Sequence, residues 1–328
     1  MKKINLVLGA LSILVLIIAP HFFKTYGVYL LTYWLVYLVA TLGLNLIVGY
    51  AGLKALGHAA FFGIGAYSSA ILMQAGVNFW LAMLVGMVLC FILGLLVGWP
   101  ALRVQMHYLA FATLGLNEII TLILRNEEWL TGGTFGISGI ARPSLFGYVF
   151  KGAIPYYYFV LVFAVVAFLL LWWLIHSPWG KAFTALRDNP IRAESLGVNI
   201  QRYTLLAFAI GGVYAGVAGS LFASLVQYID PAPFDVQISI LMFLMVILGG
   251  PGYLLGPVLG AFIGVFAPEW LRFTEGWYLL LFGAVIVALM VWLPGGLLSL
   301  RKAWQARRET KAHEAARLAA AAQLRGRT

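Results

Sequence analysis

The chain has 328 residues, 63% of them hydrophobic and 10% charged, whereas an ordinary soluble domain carries about 25% charged residues because its surface must be wetted. With 21 Lys+Arg, 11 Asp+Glu and 36 Gly, the composition is that of a polytopic membrane protein and excludes a disordered tail, a disulfide scaffold and a soluble two-domain enzyme as whole-chain readings. The formal net charge of +10 does not point to nucleic acid: residues 301–328 alone hold eight Lys/Arg against two Glu, placed behind a hydrophobic run as a cytoplasmic anchor beside anionic lipid would be.

In chain order, the first apolar run covers residues 5–23 behind Lys2 and Lys3. No small-x-small cleavage site follows Pro20, and further runs come at once, so a retained helix is expected rather than a signal peptide. Runs follow at 28–48, 55–73, 79–99, 108–124, 154–175 and 203–225, then at 238–248, 254–267 and 278–293. At about 20 residues per crossing these are ten candidates, of which 238–248 and 254–267 are short for about 30 Å of hydrocarbon and stand either as two spans or as one re-entrant pair. The expected fold is an all-α membrane protein, a polytopic helical bundle of about ten spans. Sixteen Lys/Arg fall in inner connections and five in outer ones when both termini are cytoplasmic, and Glu127, Glu128, Asp230, Asp235, Glu269 and Glu275 collect outside. The division is a first span over 1–26, a transmembrane domain over 27–298 with an inner loop at about 177–202, and a basic cytoplasmic tail over 299–328.

No nucleotide cradle is present: the single Gly-Lys pair, Gly180-Lys181, is followed by Ala182. Cys90 lies alone in an apolar run and reads as an inert buried thiol. No HExxH or clustered His/Cys spacing occurs, so neither a metal nor any other cofactor is expected in this chain, and any energy source must be a partner or an ion gradient.

Glu118 is the one acidic residue well inside an apolar run, beside Asn117. It reads as a helix–helix hydrogen bond or a protonated carboxyl with Asn117 on the same polar face, ahead of a proton relay or a substrate-path role, so Glu118→Gln is expected to keep substantial transport. His58 follows a Gly-rich turn and precedes Gly63, Gly65, Ala66 and Ala70, small residues that permit close helix approach, so packing leads over gating. The turn Gly49-Tyr50-Ala51-Gly52 with Leu56-Gly57-His58 is weakly similar to Gly249-Gly250-Pro251-Gly252 with Leu255-Gly256-Pro257, as duplicated halves with interrupted helices would be. The loop 130–140 holds four glycines, reading either as a docking element at an outer mouth or as a surface loop.

The inner stretch 177–199 carries the most information. Pro178 and Pro190 suit first helical turns, Asn189 suits an N-cap and Gly197 a helix stop. A short surface helix is expected there, with Arg192 and Glu194 exposed and Ala193 and Leu196 supplying an apolar patch for a soluble partner.

At these residues the chain resembles the branched-chain amino acid ABC transporter permeases, specifically the LivM-type subunit. The resemblance rests on residues 43–52 with 56–67, 108–115, the loop 131–139, the block Arg187-Asp188-Asn189-Pro190 through Gly197-Val198-Asn199, and 248–250 with 256–260; it covers most of 27–298. It implies one half of a permease pair in the bacterial inner membrane, with two ABC ATPase subunits (which use the ATP and Mg) below and a periplasmic binding protein delivering leucine, isoleucine or valine above. Arg187, Asp188, Asn189, Pro190, Arg192, Glu194 and Gly197 would then form the coupling segment, and Gly52, Gly57, His58, Asn117, Glu118, Gly249, Gly252 and Gly256 the translocation path or gate. One departure is that many ABC importers place Glu six residues before the loop Gly; here that position is Ile191, while Glu194 lies three before Gly197. Urea and short-chain amide permeases resemble the same family, and a proton-coupled secondary transporter using Glu118 is the alternative from another class.

Overall fold

The computed structural model describes residues 15–102, 106–145, 147–271, 283–284, 287–288 and 295–299. After a 3-10 turn at Ala19–His21, the helices are α1 (Thr25–Asn45, extended by a π turn Leu46–Tyr50), α2 (His58–Gln74), α3 (Phe79–Ala101), α4 (Met106–Asn126) and the single-turn α5 (Glu128–Thr131). Then come α6 (Ala153–His176), α7 (Pro178–Asp188), α8 (Pro190–Ser195), α9 (Ile200–Val226), α10 (Val236–Gly249) and α11 (Gly256–Trp270). Two small antiparallel pairs close one end of the bundle. Strand β1 (Ile137–Ser138) pairs with β4 (Tyr228–Ile229), matching Ile137 to Ile229, and β2 (Ser144–Leu145) pairs with β3 (Tyr148–Val149).

Among the described residues, five helices are long and apolar enough to cross a membrane: Thr25–Tyr50, Phe79–Pro100, Tyr108–Asn126, Ala153–His176 and Ile200–Val226. The chain is a polytopic helical membrane protein. The runs at 28–48, 79–99, 108–124, 154–175 and 203–225 match these spans within a few residues. Most of the expected first span, the run 278–293 and nearly all of the tail 299–328 lie outside the described residues. The short runs form α10 and α11, of 14 and 15 residues, or about 21 and 22 Å at 1.5 Å per residue, less than a hydrocarbon thickness. They pack against each other as a hairpin turned at Gly250–Leu255.

Helices α1 and α9 are the axis of the bundle. The most apolar stretch of α1 is 89% buried and that of α9 72%, against 28% for α4. Helix α9 packs on α1, α2 and α3, and small residues allow it to. A Cβ on Gly65 of α2 would strike the backbone of Gly216, one on Gly219 would strike the carbonyl of Phe62, and Gly43 of α1 lies against the Gly211 carbonyl. In lipid, where tails are as apolar as Leu, this close van der Waals approach and interhelical hydrogen bonds hold helices together. Ser69 of α2 donates to Ser220 Oγ of α9 at 2.6 Å, and Tyr156 of α6 donates to the Leu221 carbonyl of α9 at 2.6 Å. Cys90 is buried at the same junction, its thiol 3.2 Å from the Phe61 carbonyl.

The glycine-dense loop 130–140 docks on its own chain. Gly136 sits so close to the Ile229 carbonyl that a Cβ would strike it, and β1 carries on into the pairing with β4. Replacing Gly65 with Val is expected to separate α2 from α9 and to cost at least about 1–3 kcal/mol; the thermal unfolding midpoint of the purified protein checks this, and an unchanged midpoint would contradict the packing.

Candidate functional site

Two helices begin inside the bundle, and their first-turn N–H groups would be unpaired there unless neighbours supplied acceptors. At the start of α2, Thr113 Oγ1 of α4 accepts from Leu56 N at 2.9 Å, and Ser239 Oγ of α10 accepts from Ala59 N at 3.2 Å. His58 is 2% exposed and its Nε2 lies 2.9 Å from the Ala40 carbonyl, so the ring ties α2 to α1 as an N–H donor. Gly57 has no room for a Cβ against the Thr113 carbonyl. At the start of α10, Asp235 caps through Oδ1, accepting from Ile238 N at 3.0 Å. Phe234 before it is fully buried, and its carbonyl accepts from Asn117 Nδ2 at 3.2 Å and Thr121 Oγ1 at 3.1 Å. Within the connection to which the sequence assigns it, Asp235 is a helix cap beside a buried turn.

Asn117 and Glu118 part company here. Asn117 is fully buried and makes the helix–helix bond, while Glu118 is exposed on another side of α4. Adjacent residues on a helix point about 100° apart, so the expectation that they share a polar face, with Glu118 in a helix–helix hydrogen bond, is corrected.

The other end of the bundle gathers residues that the sequence assigns to two different groups. The π turn at Leu46–Tyr50 lets Ala51 N reach the Leu46 carbonyl at 2.9 Å and turns the chain at Gly52, where φ is +73°. Opposite it, the α10–α11 hairpin turns through Gly250 and Gly252, with φ of +117° and +77°, angles at which glycine carries no Cβ penalty. Asn45, fully buried, joins the two breaks: its Oδ1 accepts from Gly252 N at 2.9 Å and its Nδ2 donates to the Tyr253 carbonyl at 3.0 Å. Gly49 has no space for a Cβ between Asn45 Oδ1 and Gly252 N, and Gly249 and Gly256 touch each other's backbone within the hairpin. The two Gly-rich elements that are weakly similar in sequence therefore meet face to face.

Arg187, at the end of α7, reaches this junction. Its Nη1 donates to the Gly49 carbonyl at 2.9 Å, its Nε to Asp188 Oδ1 at 3.2 Å, and its side chain lies against Gly52 and Gly252. Arg187–Asp188 is the one ion pair among the described residues. The segment holding Arg187 is built from local signals. Ser177 caps α7 with Pro178 in its first turn, Asn189 caps α8 by accepting from Arg192 N at 3.0 Å with Pro190 in its first turn, and Gly197 stops α8 at φ +86°. Asn199 then caps α9, accepting from Arg202 N at 2.9 Å. Arg192 and Glu194 are exposed as expected. The apolar patch differs: Ala193 is 2% exposed and faces the bundle, whereas Ile191 at 79% and Leu196 at 82% face out. Ser177, Asn199 and Asn45 escape the sequence reading; Ser before Pro, and Asn three residues before Arg202, are the local marks of the first two, but nothing local marks Asn45.

Among the described residues no three His, Cys, Asp or Glu side chains gather as a metal site. The site has the means to transmit movement: a polar clasp joins a surface helix pair to two broken spans. Asn45→Ala would strand Gly252 N and the Tyr253 carbonyl. It is expected to cost about 2–3 kcal/mol, the penalty of unpaired buried polar groups, read as a lower denaturation midpoint.

Comparison with known proteins gives these groupings a family. Residues 26–292 match the model of the branched-chain amino acid transport system permease component. The high-affinity branched-chain amino acid transport system permease protein LivM of Escherichia coli is 34% identical over 316 residues, covering 89% of this chain and 74% of that protein. Its Salmonella typhimurium counterpart is 33% identical over 317 residues, covering 89% and 75%. A probable LivM of Methanocaldococcus jannaschii is 25% identical over 320 residues, covering 80% and 90%. No solved structure matches the chain.

Proposed function

The chain belongs to the family of branched-chain amino acid transport permease components, and on that premise we propose that it is the membrane-spanning subunit of an importer for leucine, isoleucine and valine in the bacterial inner membrane. It performs no covalent chemistry. Two ATPase subunits on the α7–α8 side drive it, a second permease chain completes the passage, and an external binding protein delivers the solute. ATP and Mg belong to the ATPases.

The observation that carries the mechanism is Arg187 held between the two glycine breaks. Ile191 and Leu196, exposed beside Arg192 and Glu194 on α8, offer an apolar contact rimmed by charge to a soluble partner. Movement of that contact displaces Arg187, and Arg187 draws on the Gly49 carbonyl and the Gly252 turn. Those turns end α1 and connect α10 to α11, so the same pull tilts spans on both sides of the clasp. Asp188 holds the guanidinium, Asn189 and Pro190 start α8, and Gly197 ends it. Gly52, Gly57, Gly249, Gly252 and Gly256 keep the breaks tight, and His58 and Asn117 fix the half-buried helix starts. The binding protein makes the first selection of solute, which is consistent with most inward polar groups in the spans being taken up by bonds within the bundle.

The test is uptake of labelled leucine, urea and a short-chain amide by a deletion strain carrying the complete transport system. Leucine uptake that requires ATP is expected. Urea or amide uptake in its place would give the chain to the neighbouring substrate class, and uphill pumping by this polypeptide alone in liposomes would overturn the reading. Two groups of variants examine the clasp. Arg187→Ala, and Ile191→Asp combined with Leu196→Asp, are expected to lower leucine uptake about tenfold, the worth of one to two charge-assisted or buried contacts, with normal membrane insertion. Gly197→Pro demands a φ near −65° where the chain has +86°, and it and charge reversal at Arg192 with Glu194 are expected to uncouple uptake likewise; normal uptake by all of them would refute the coupling role.

A further inference from the structure

Helix α4 presents to the outside a face that hydrocarbon cannot cover without cost. Its inward side carries Thr113, Asn117 and Thr121, all buried and hydrogen-bonded to neighbours. Its outward side carries Phe111 at 70% exposure, Ile119 at 56% and Leu122 at 45%, with Ala112, Gly115 and Glu118 exposed among them. Glu118 has no hydrogen-bond or ion-pair partner among the described residues. It lies about 12 Å from the Asn126 end of the helix and about 18 Å from the Met106 end, close to the middle of a span. A carboxylate placed there against lipid costs about 2.5–3.5 kcal/mol on insertion scales, and more on an isolated helix by other estimates. The remaining occupants of such a face are water, protein and solute.

The groups around Glu118 define a solute. One turn below it, Gly115 leaves a gap in which an added Cβ would meet no atom within 4 Å, and Ala112 continues the small surface. Phe111, Ile119 and Leu122 flank the gap with apolar walls. An anion beside a small-residue notch between aliphatic and aromatic side chains suits a solute that carries an ammonium group next to a branched hydrocarbon.

Resting on the permease reading above, we infer that the outward face of α4 is the wall of the passage and that Glu118 receives the α-ammonium group of an aliphatic amino acid in transit, whose side chain lies in the notch over Gly115. The carboxylate supplies charge complementarity without tight retention, because one contact in a wet passage is quickly exchanged. This reverses the expectation that Glu118→Gln keeps substantial transport.

The experiment uses the whole reconstituted complex, both permease chains with the ATPases and the binding protein, in liposomes. Glu118→Gln is expected to lower leucine uptake about tenfold or more, the worth of a hydrogen bond to a charged group, while ATP hydrolysis stimulated by the binding protein stays close to wild type. Glu118→Asp is expected to restore a substantial part of the uptake. Gly115→Leu is expected to depress uptake of leucine more than that of valine. Glu118→Cys is expected to react with a charged, membrane-impermeant thiol reagent, and leucine supplied during turnover is expected to slow the reaction; Cys90, being buried, contributes little background. Undiminished uptake by Glu118→Gln, or a Glu118→Cys protein that the charged reagent cannot reach, overturns the inference. If Glu118→Gln fails to assemble, the labelling of Glu118→Cys decides. A wild-type complex that fails to take up leucine refutes the permease reading instead, so the two failures are distinguishable.

Discussion

The structure depends on one constraint: a helix interrupted within hydrocarbon leaves backbone N–H and C=O groups that no water can satisfy. This chain interrupts its helices repeatedly, before α2, before α10 and between α10 and α11, and at each break a side chain from another helix supplies the missing bond. Thr113 and Ser239 receive the N–H groups at the start of α2, Asn117 and Thr121 donate to the Phe234 carbonyl, and Asn45 serves both sides of the Gly252 turn. The polar residues inside the spans are thus largely committed to backbone. A membrane protein so constructed holds its breaks by a few bonds of about 1 kcal/mol net each.

Arg187 extends this principle to the surface. It bonds a span terminus across the molecule, and it does so from a helix whose neighbour displays Ile191 and Leu196 to the exterior. The α7–α8 corner at Asn189 thus lies one short helix end away from both glycine breaks.

Much of the architecture is legible in the sequence because it is local. The limits of α3, α6 and α9 follow from apolar runs, and the α7–α8 corner follows from Pro178, Asn189, Pro190 and Gly197, whose effects extend over a single turn. What the sequence leaves hidden is which side of an apolar helix faces inward. Lipid and protein interior are equally apolar, so hydrophobic periodicity gives no sign, and Asn117 and Glu118 look alike until neighbours are in place. The same holds for Ala193 and Ile191, four and six residues before the glycine stop yet on opposite sides. Partners distant in sequence, such as Asn45 with Gly252 or His58 with Ala40, leave no local trace at all.

The π turn at the foot of α1 has a consequence for how this protein can vary. Each residue in a helix advances the chain by about 100° and 1.5 Å, and the wider turn absorbs one residue more than an α-helical turn would between Leu46 and Ala51. Removing or adding a single amino acid there would swing the Gly49 carbonyl by more than a quarter of a circle, away from the guanidinium that holds it. Apart from Gly49, which has no space for a Cβ, substitutions of side chains across 46–50 are a milder change than any alteration of length, so relatives that keep this clasp should keep the same number of residues between Asn45 and Gly52 even where the letters between them differ.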